Sequence, residues 1–287
     1  MMLSRRDVLK LVVGAVGATS TGFLGACRGG TPNVGEPRET PESQPEAESV
    51  ANRGRLLAKP TSPPSDVRVR SGLRPLGLGS GRDGLLYIPA DYDASEKVPL
   101  ALTLHGAGGN ARSGISHFLD LADEVGVVLL APESRGRTWD VLVGGYGPDV
   151  EFIARALDRA FDRLALDTRR LAITGFSDGA SYALSLGLTN GDLFTRVIAF
   201  SPGFASPWAR RGMPPVFVSH GTRDGVPPIE RCSRRIVPRS SARGSWVGRR
   251  RPRYGRRGRP IGGPVSIVAP TSAPSNAPCR VGRLRLS

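Results

Sequence analysis

The stretch Gly175-Phe176-Ser177-Asp178-Gly179 lies where an apolar run, Leu171 to Thr174, gives way to the small-residue, helix-like stretch Ala180 to Leu188. A strand turning sharply into a helix here would push the Ser177 hydroxyl out at the end of a sheet. Glycines on both sides are what so tight a turn requires. A serine placed in this way can attack a carbonyl carbon, so the chemistry on offer is acyl transfer. The competing reading is an ordinary turn with a buried serine, and the neighbouring segments decide between the two.

Upstream, Val98 to Leu104 has the pattern of a buried strand and runs into His105-Gly106-Ala107-Gly108-Gly109-Asn110. A glycine-rich loop of this kind can aim a backbone N–H at a developing oxyanion, with a second donor in the N–H of the residue after the nucleophile, Asp178. Downstream, Pro215 to Ser219 reads as another strand and ends in His220-Gly221-Thr222-Arg223-Asp224. The acidic residues after Ser177 are Asp178, Asp192, Asp224 and Glu230. Asp224, just past a strand end, is the candidate acid of the site, with Glu230 second. The alternative for Asp224 is a cap on a helix starting near Pro227.

On these three segments, Leu104 to Asn110, Gly175 to Ala180 and His220 to Asp224, the chain resembles the α/β-hydrolase superfamily. Within it, the resemblance is to bacterial phospholipase/carboxylesterase and polyhydroxybutyrate-depolymerase-like esterases, and it covers about residues 66 to 238. It implies a mostly parallel sheet flanked by helices, with Ser177 as nucleophile, Asp224 as triad acid, and the backbone of Ala107 and Asp178 as oxyanion hole. The substrate implied is a small ester or polyester. Ser134 to Asp140 also resembles this group, which would put Trp139 along the acyl or alcohol side of a cleft; ordinary packing is the competing reading for Trp139.

Such enzymes place a histidine on the loop after the last strand to take the serine proton and return it to the leaving group. This sequence departs from that pattern, because no His follows His220. His105 and His220, at strand ends, correspond to structural positions in the family, and His117 is expected on a solvated surface helix. Three classes of function stay open: a serine esterase impaired by the missing base or using an unforeseen one, a catalytically inactive lipid-anchored protein, and a polyanion-binding surface protein.

The third class rests on the tail. From Arg239 to Ser287 there are twelve Arg and no Lys, Asp, Glu or His, which leaves 28 basic against 25 acidic residues in the rest of the chain. The formal charge of +15 therefore belongs largely to the tail. Its Arg, Gly, Pro and Ser richness without helical or strand periodicity points away from a packed element. The expectation is an out-of-frame translation, entered near Pro238 to Ser240, in place of the last strand, the His loop and the last helix. The rival is a basic arm for a polyanion. Little aromatic interleaving beyond Trp246 and Tyr254 argues against nucleic acid as its partner.

At the other end, Ser4-Arg5-Arg6-Asp7-Val8-Leu9-Lys10 resembles a twin-arginine export signal, followed by an uncharged stretch and Leu24-Gly25-Ala26-Cys27. The latter resembles a lipoprotein box, which makes Cys27 the candidate lipid attachment and residues 1–27 the signal. The expected location is the cell envelope. Residues 28–65, dense in Pro, Glu and Ser, read as a disordered tether. Cys232 and Cys279 are the remaining cysteines, and their pairing is not decided by sequence. No CxxC or His cluster suggests a metal, and no cofactor is called for.

The elements that must position these residues alternate. Strand-like runs at Leu85 to Ile88, Pro99 to Leu104, Val127 to Ala131, Leu171 to Thr174, Arg196 to Ser201 and Val216 to Ser219 are separated by helical stretches. Val150, Ile153, Leu157, Phe161 and Leu164 recur at helical spacing and give one helix a face for the sheet. Gly77 to Gly84 brushes against a dinucleotide-binding pattern but precedes a strand, and is read as a hairpin turn. One domain, residues 66–238, is expected between the tether and the tail.

Overall fold

The computed structural model describes residues 51–60, 69–79 and 81–221, and the backbone of one further strand at 265–268. Two central strands, β3 (Val98–Leu104) and β4 (Val128–Pro132), are almost wholly buried. Near-continuous apolar runs of this kind are what a parallel sheet covered on both faces demands. They sit in a sheet of order β1-β2-β4-β3-β5-β6-β7-β8. The others are β1 (Gly72–Pro75), β2 (Gly84–Ile88), β5 (Leu166–Phe176), β6 (Arg196–Phe200), β7 (Val216–Ser219) and β8 (Val265–Val268). From β4 to β7 every neighbouring pair is parallel; β1–β2, β2–β4 and β7–β8 are antiparallel. This is the expected α/β architecture.

Alternation along the strands sorts side chains into two cores. Leu100, Leu102, Leu104, Leu171 and Ile173 face one side, where α3 (Pro148–Phe161) and α4 (Asp178–Thr189) pack. Ala101, Leu129, Ala172 and Phe217 face the other, under α1 (Ala111–Ile115) and α2 (Leu119–Val125). Each large aliphatic side chain moved from water into such a core contributes about 1.5–3 kcal/mol. Val150, Ile153, Leu157, Phe161 and Leu164 are all buried, as their spacing predicts.

Helix α4 is buried on nearly every side. A Cβ on Gly187 would come within 2.7 Å of Ile173 and 2.8 Å of Val197, so a bare backbone there lets the helix lie close on β5 and β6. Its hydroxyl residues form a ladder at steps of four. Ser181, Ser185 and Thr189 donate to the carbonyls of Ser177, Ser181 and Ser185 at 3.3, 2.7 and 2.8 Å. The same oxygens accept the N–H groups of Gly203, Ser206 and Trp208 at 2.9, 2.9 and 3.2 Å. The segment after β6 is thereby laid along the helix from its first turn to its last.

Three elements differ from expectation. His117 lies in the turn between α1 and α2 instead of on a helix, because α1 stops after five residues. Residues 51–60, expected within the tether, pack on the domain: Leu56 and Ala58 are buried, and Arg55 reaches Thr189 O, Asn190 Oδ1 and the Asp192 carboxylate. The tail, expected to hold no packed element, supplies β8 against β7. Val265-Ser266-Ile267-Val268 is short but rich in β-branched residues, and the open edge of β7 offers it unpaired backbone groups. The Gly77–Gly84 stretch is a hairpin turn as read, with Asp83 accepting from the N–H groups of Gly77 and Leu78 at 2.8 and 3.1 Å. The signal, the rest of the tether and tail, Glu230, Cys232 and Cys279 lie outside the described residues.

Candidate active site

Strand β5 ends at Phe176 and α4 begins at Asp178, leaving Ser177 alone to make the turn. Its backbone sits at φ 54, ψ −118, a region that residues other than glycine rarely adopt. The flanking glycines are forced by proximity. A Cβ on Gly175 would lie 2.3 Å from Gly179 backbone atoms, and one on Gly179 would lie 2.3 Å from Leu104 O and 2.5 Å from His105 O. The turn is fastened to the next strand by Ser177 N–H donating to Phe200 O at 2.9 Å. Ser177 is half-buried and opens at the C-terminal edge of the parallel strands, beside the exposed ring of Phe176.

The glycine-rich loop lies against this turn. A Cβ on Gly106 would be 3.5 Å from both Phe176 O and Ser177 Cβ, so Ala107 is the next residue along a backbone that skirts the hydroxyl. Asp178 is the first residue of α4, a position whose N–H has no partner within the helix. The loop's far limb is pinned by Gly108 N–H to Arg137 O at 2.8 Å and Gly109 N–H to Gly106 O at 3.0 Å.

His105 takes part in holding this loop. Its Nδ1 donates to Gly106 O at 2.8 Å, and Nε2 accepts from Ser134 N–H at 3.0 Å. Burial holds the imidazole below its ordinary pKa, which suits a neutral ring with one donor and one acceptor. His220 is buried at the end of β7. The His117 ring stands 5.7 Å from that of Phe176 and 6.4 Å from that of Phe118. Trp139 is fully buried, which settles it as packing: its ring stacks on Tyr182 at 5.0 Å and its Nε1–H donates to His105 O at 2.8 Å.

Several supporting residues carry no motif. Arg82, in the β1–β2 turn, donates to Gly109 O at 2.9 Å and to the carbonyl of Ser134, joining the glycine loop to the segment after β4. Thr138 donates to Asp178 Oδ2 at 2.7 Å. Asp149 and Asp140 bracket the excursion from 135 to 149. Asp149 accepts from the N–H groups of Arg135 and of Asp140, the latter at 2.7 Å; Asp140 accepts from those of Gly147 and Asp149, both at 2.9 Å. Burial pushes Asp149 up to about 6 and raises Asp140 as well. An N–H in a loop gives no sequence signal for the side chain that will cap it, so these ties were invisible beforehand.

Ser177, Asp178 and the Ala107 loop are thus brought together. Asp224 and Cys27 lie outside the described residues. Among the described residues no group of three or more His, Cys, Asp or Glu side chains could hold a metal ion.

The chain is 29% identical over 157 residues to a bifunctional acetylxylan esterase/xylanase of Neocallimastix patriciarum, covering 52% of this chain and 22% of that protein. It is 28% identical over 159 residues to the "Probable feruloyl esterase C" of Aspergillus niger, covering 53% of this chain and 58% of that one. A solved thermostable esterase superposes with a TM-score of 0.44 at 22% identity, over 53% of this chain and 45% of the other. The matched length is thus well short of either curated relative. Residues 150–235, a span that contains both Ser177 and Asp224, match the Esterase family model, described as "Putative esterase".

Proposed function

We propose that this protein is a serine-dependent carboxylic ester hydrolase. The observation that carries the reading is the strained Ser177 backbone, held between two obligatory glycines and against the Gly106 loop. Ser177 Oγ attacks the ester carbonyl carbon, and the N–H groups of Ala107 and Asp178 hold the oxygen as it becomes anionic. The C–O bond to the alcohol then breaks and the serine proton leaves with the alcohol. Water attacks the acyl-serine ester and releases the acid. Asp224 is assigned as the acid of the site. Acetyl and feruloyl esters are the first substrates to try, since the relatives are named for them.

Turnover is expected to be low. Both His105 nitrogens are engaged in the loop, which leaves that ring unsuited to take the serine proton. Enzymes deprived of a triad member retain a residual ~10³–10⁴-fold over water. The same observation favours a second reading, a catalytically inactive protein. Both readings keep the envelope location: Cys27 is proposed as a lipidated N-terminus, and loss of palmitate incorporation in Cys27→Ser would support it.

A fluorophosphonate probe and p-nitrophenyl acetate, each with Ser177→Ala as control, test the hydrolase. Labelling of the parent but not the variant, with hydrolysis above the variant's background, is expected. Labelling without hydrolysis selects the second reading, and neither signal ends the proposal for catalysis.

A further inference from the structure

The end of the domain remote from Ser177 carries a surface that catalysis does not use. Following the hydroxyl ladder down α4, the chain reaches Trp208-Ala209-Arg210-Arg211-Gly212-Met213, six consecutive exposed residues. Trp208 is 63% and Met213 69% exposed, an unusual display for side chains of that size. The loop is held firmly. Trp208 N–H donates to Thr189 Oγ1, and Arg211 N–H to Leu188 O at 3.1 Å. Gly212, at φ 62, sits back to back with Gly191, where a Cβ would meet a carbonyl oxygen at 2.3 Å from either side. Two large apolar side chains and two guanidiniums are therefore presented on a fixed backbone.

The surroundings add to the positive field. Asp192, beside the loop, is already paired with Arg55 at 2.9 Å, and this pairing holds its carboxyl below the usual range. The segment 51–60 enters the domain here too: Leu56 N–H and Gly54 O both bond the Asn190 side chain at the end of α4, with Arg53 exposed beside them. Helix α4 spans twelve residues, so this end lies about 18 Å from the Ser177 turn at 1.5 Å per residue.

We propose that the Trp208–Met213 loop docks on an anionic phospholipid surface. Trp suits the headgroup region, where an apolar ring meets water, and each basic residue near an anionic leaflet adds attraction. The charge complementarity selects lipid bearing negative headgroups over a zwitterionic bilayer. No helix among the described residues is long and apolar enough to cross a membrane. Docking at this end leaves Ser177 facing away from the bilayer, toward substrates in the aqueous phase.

The test uses the full chain with Trp246→Phe, so that Trp208 is the exposed indole and Trp139 stays buried. It is mixed with vesicles of 30% phosphatidylglycerol in brominated phosphatidylcholine, or of brominated phosphatidylcholine alone. Quenching of Trp208 emission in the first and not the second is expected. Arg210→Ser/Arg211→Ser should weaken vesicle binding on the order of thirtyfold. Binding without quenching would assign the contact to the basic tail and overturn the proposal, as would equal quenching by both vesicles. A lipid-independent blue shift that grows with protein concentration would make a second copy the occupant and overturn it too. The quenching arm leaves the loop unaltered, so it stands even if the double variant folds poorly.

Discussion

Thr138 donates its hydroxyl to Asp178 at 2.7 Å, tying the segment after β4 to the residue that follows Ser177. Thr138 touches no reacting atom in the proposed mechanism; it holds the side chain of the residue whose N–H that mechanism assigns to the oxyanion. Thr138→Val should slow fluorophosphonate labelling of Ser177 about tenfold, the value of one hydrogen bond to a charged group. Thr138→Ser should restore the rate. Unchanged labelling in the valine variant would assign Thr138 to stability alone.

Ser177 holds a positive φ that glycine adopts freely. Ser177→Gly should therefore raise unfolding stability by about 1–2 kcal/mol while abolishing labelling, measured by urea denaturation and probe incorporation on the same samples. A destabilised variant would mean that the turn carries no strain.

Gly179 and Gly108 make a steric pair of opposites. Gly179→Ala drives a Cβ into two backbone oxygens and should cost about 3 kcal/mol or more. Gly108, at φ 65 with open space around it, should lose only about 1–2 kcal/mol on change to alanine. Denaturation midpoints of the two variants would separate them.

Buried Asp149, beside half-buried Asp140, makes stability depend on pH. With Asp149 pushed up to about 6 from 3.8, the folded chain binds a proton that the unfolded chain has released across that interval. The contribution of this group is thus complete below about pH 4 and lost as pH rises through 6. Its size is on the order of 1–3 kcal/mol. Urea midpoints at pH 4 and 7 should show this component in the parent and not in Asp149→Asn.

The sequence made the centre of the fold legible because parallel strands buried on both faces must be largely apolar, as Leu100 to Leu104 and Leu171 to Thr174 are apart from the buried Thr103 and Thr174. Ser177 and its glycines were legible because the turn tolerates little else. Strand β1 was missed, since Gly72-Leu73-Arg74-Pro75 pairs on one edge only and needs no apolar pattern. Arg82 was missed because its role depends on the approach of Gly109 and Ser134, 27 and 52 positions away. Residues 51–60 directly follow a Pro-, Glu- and Ser-rich stretch and carry no periodic pattern, and Asn190 and Asp192 supply partners that nothing local announces.

The serine and threonine rungs of α4 have a further effect. Each hydroxyl is at once a donor to its own helix and an acceptor from the segment alongside, so sliding that segment by one residue would break all three outer bonds together. The amides of Gly203, Ser206 and Trp208 should accordingly exchange with deuterium as a single cooperative unit, from beside Ser177 to the far end of the helix.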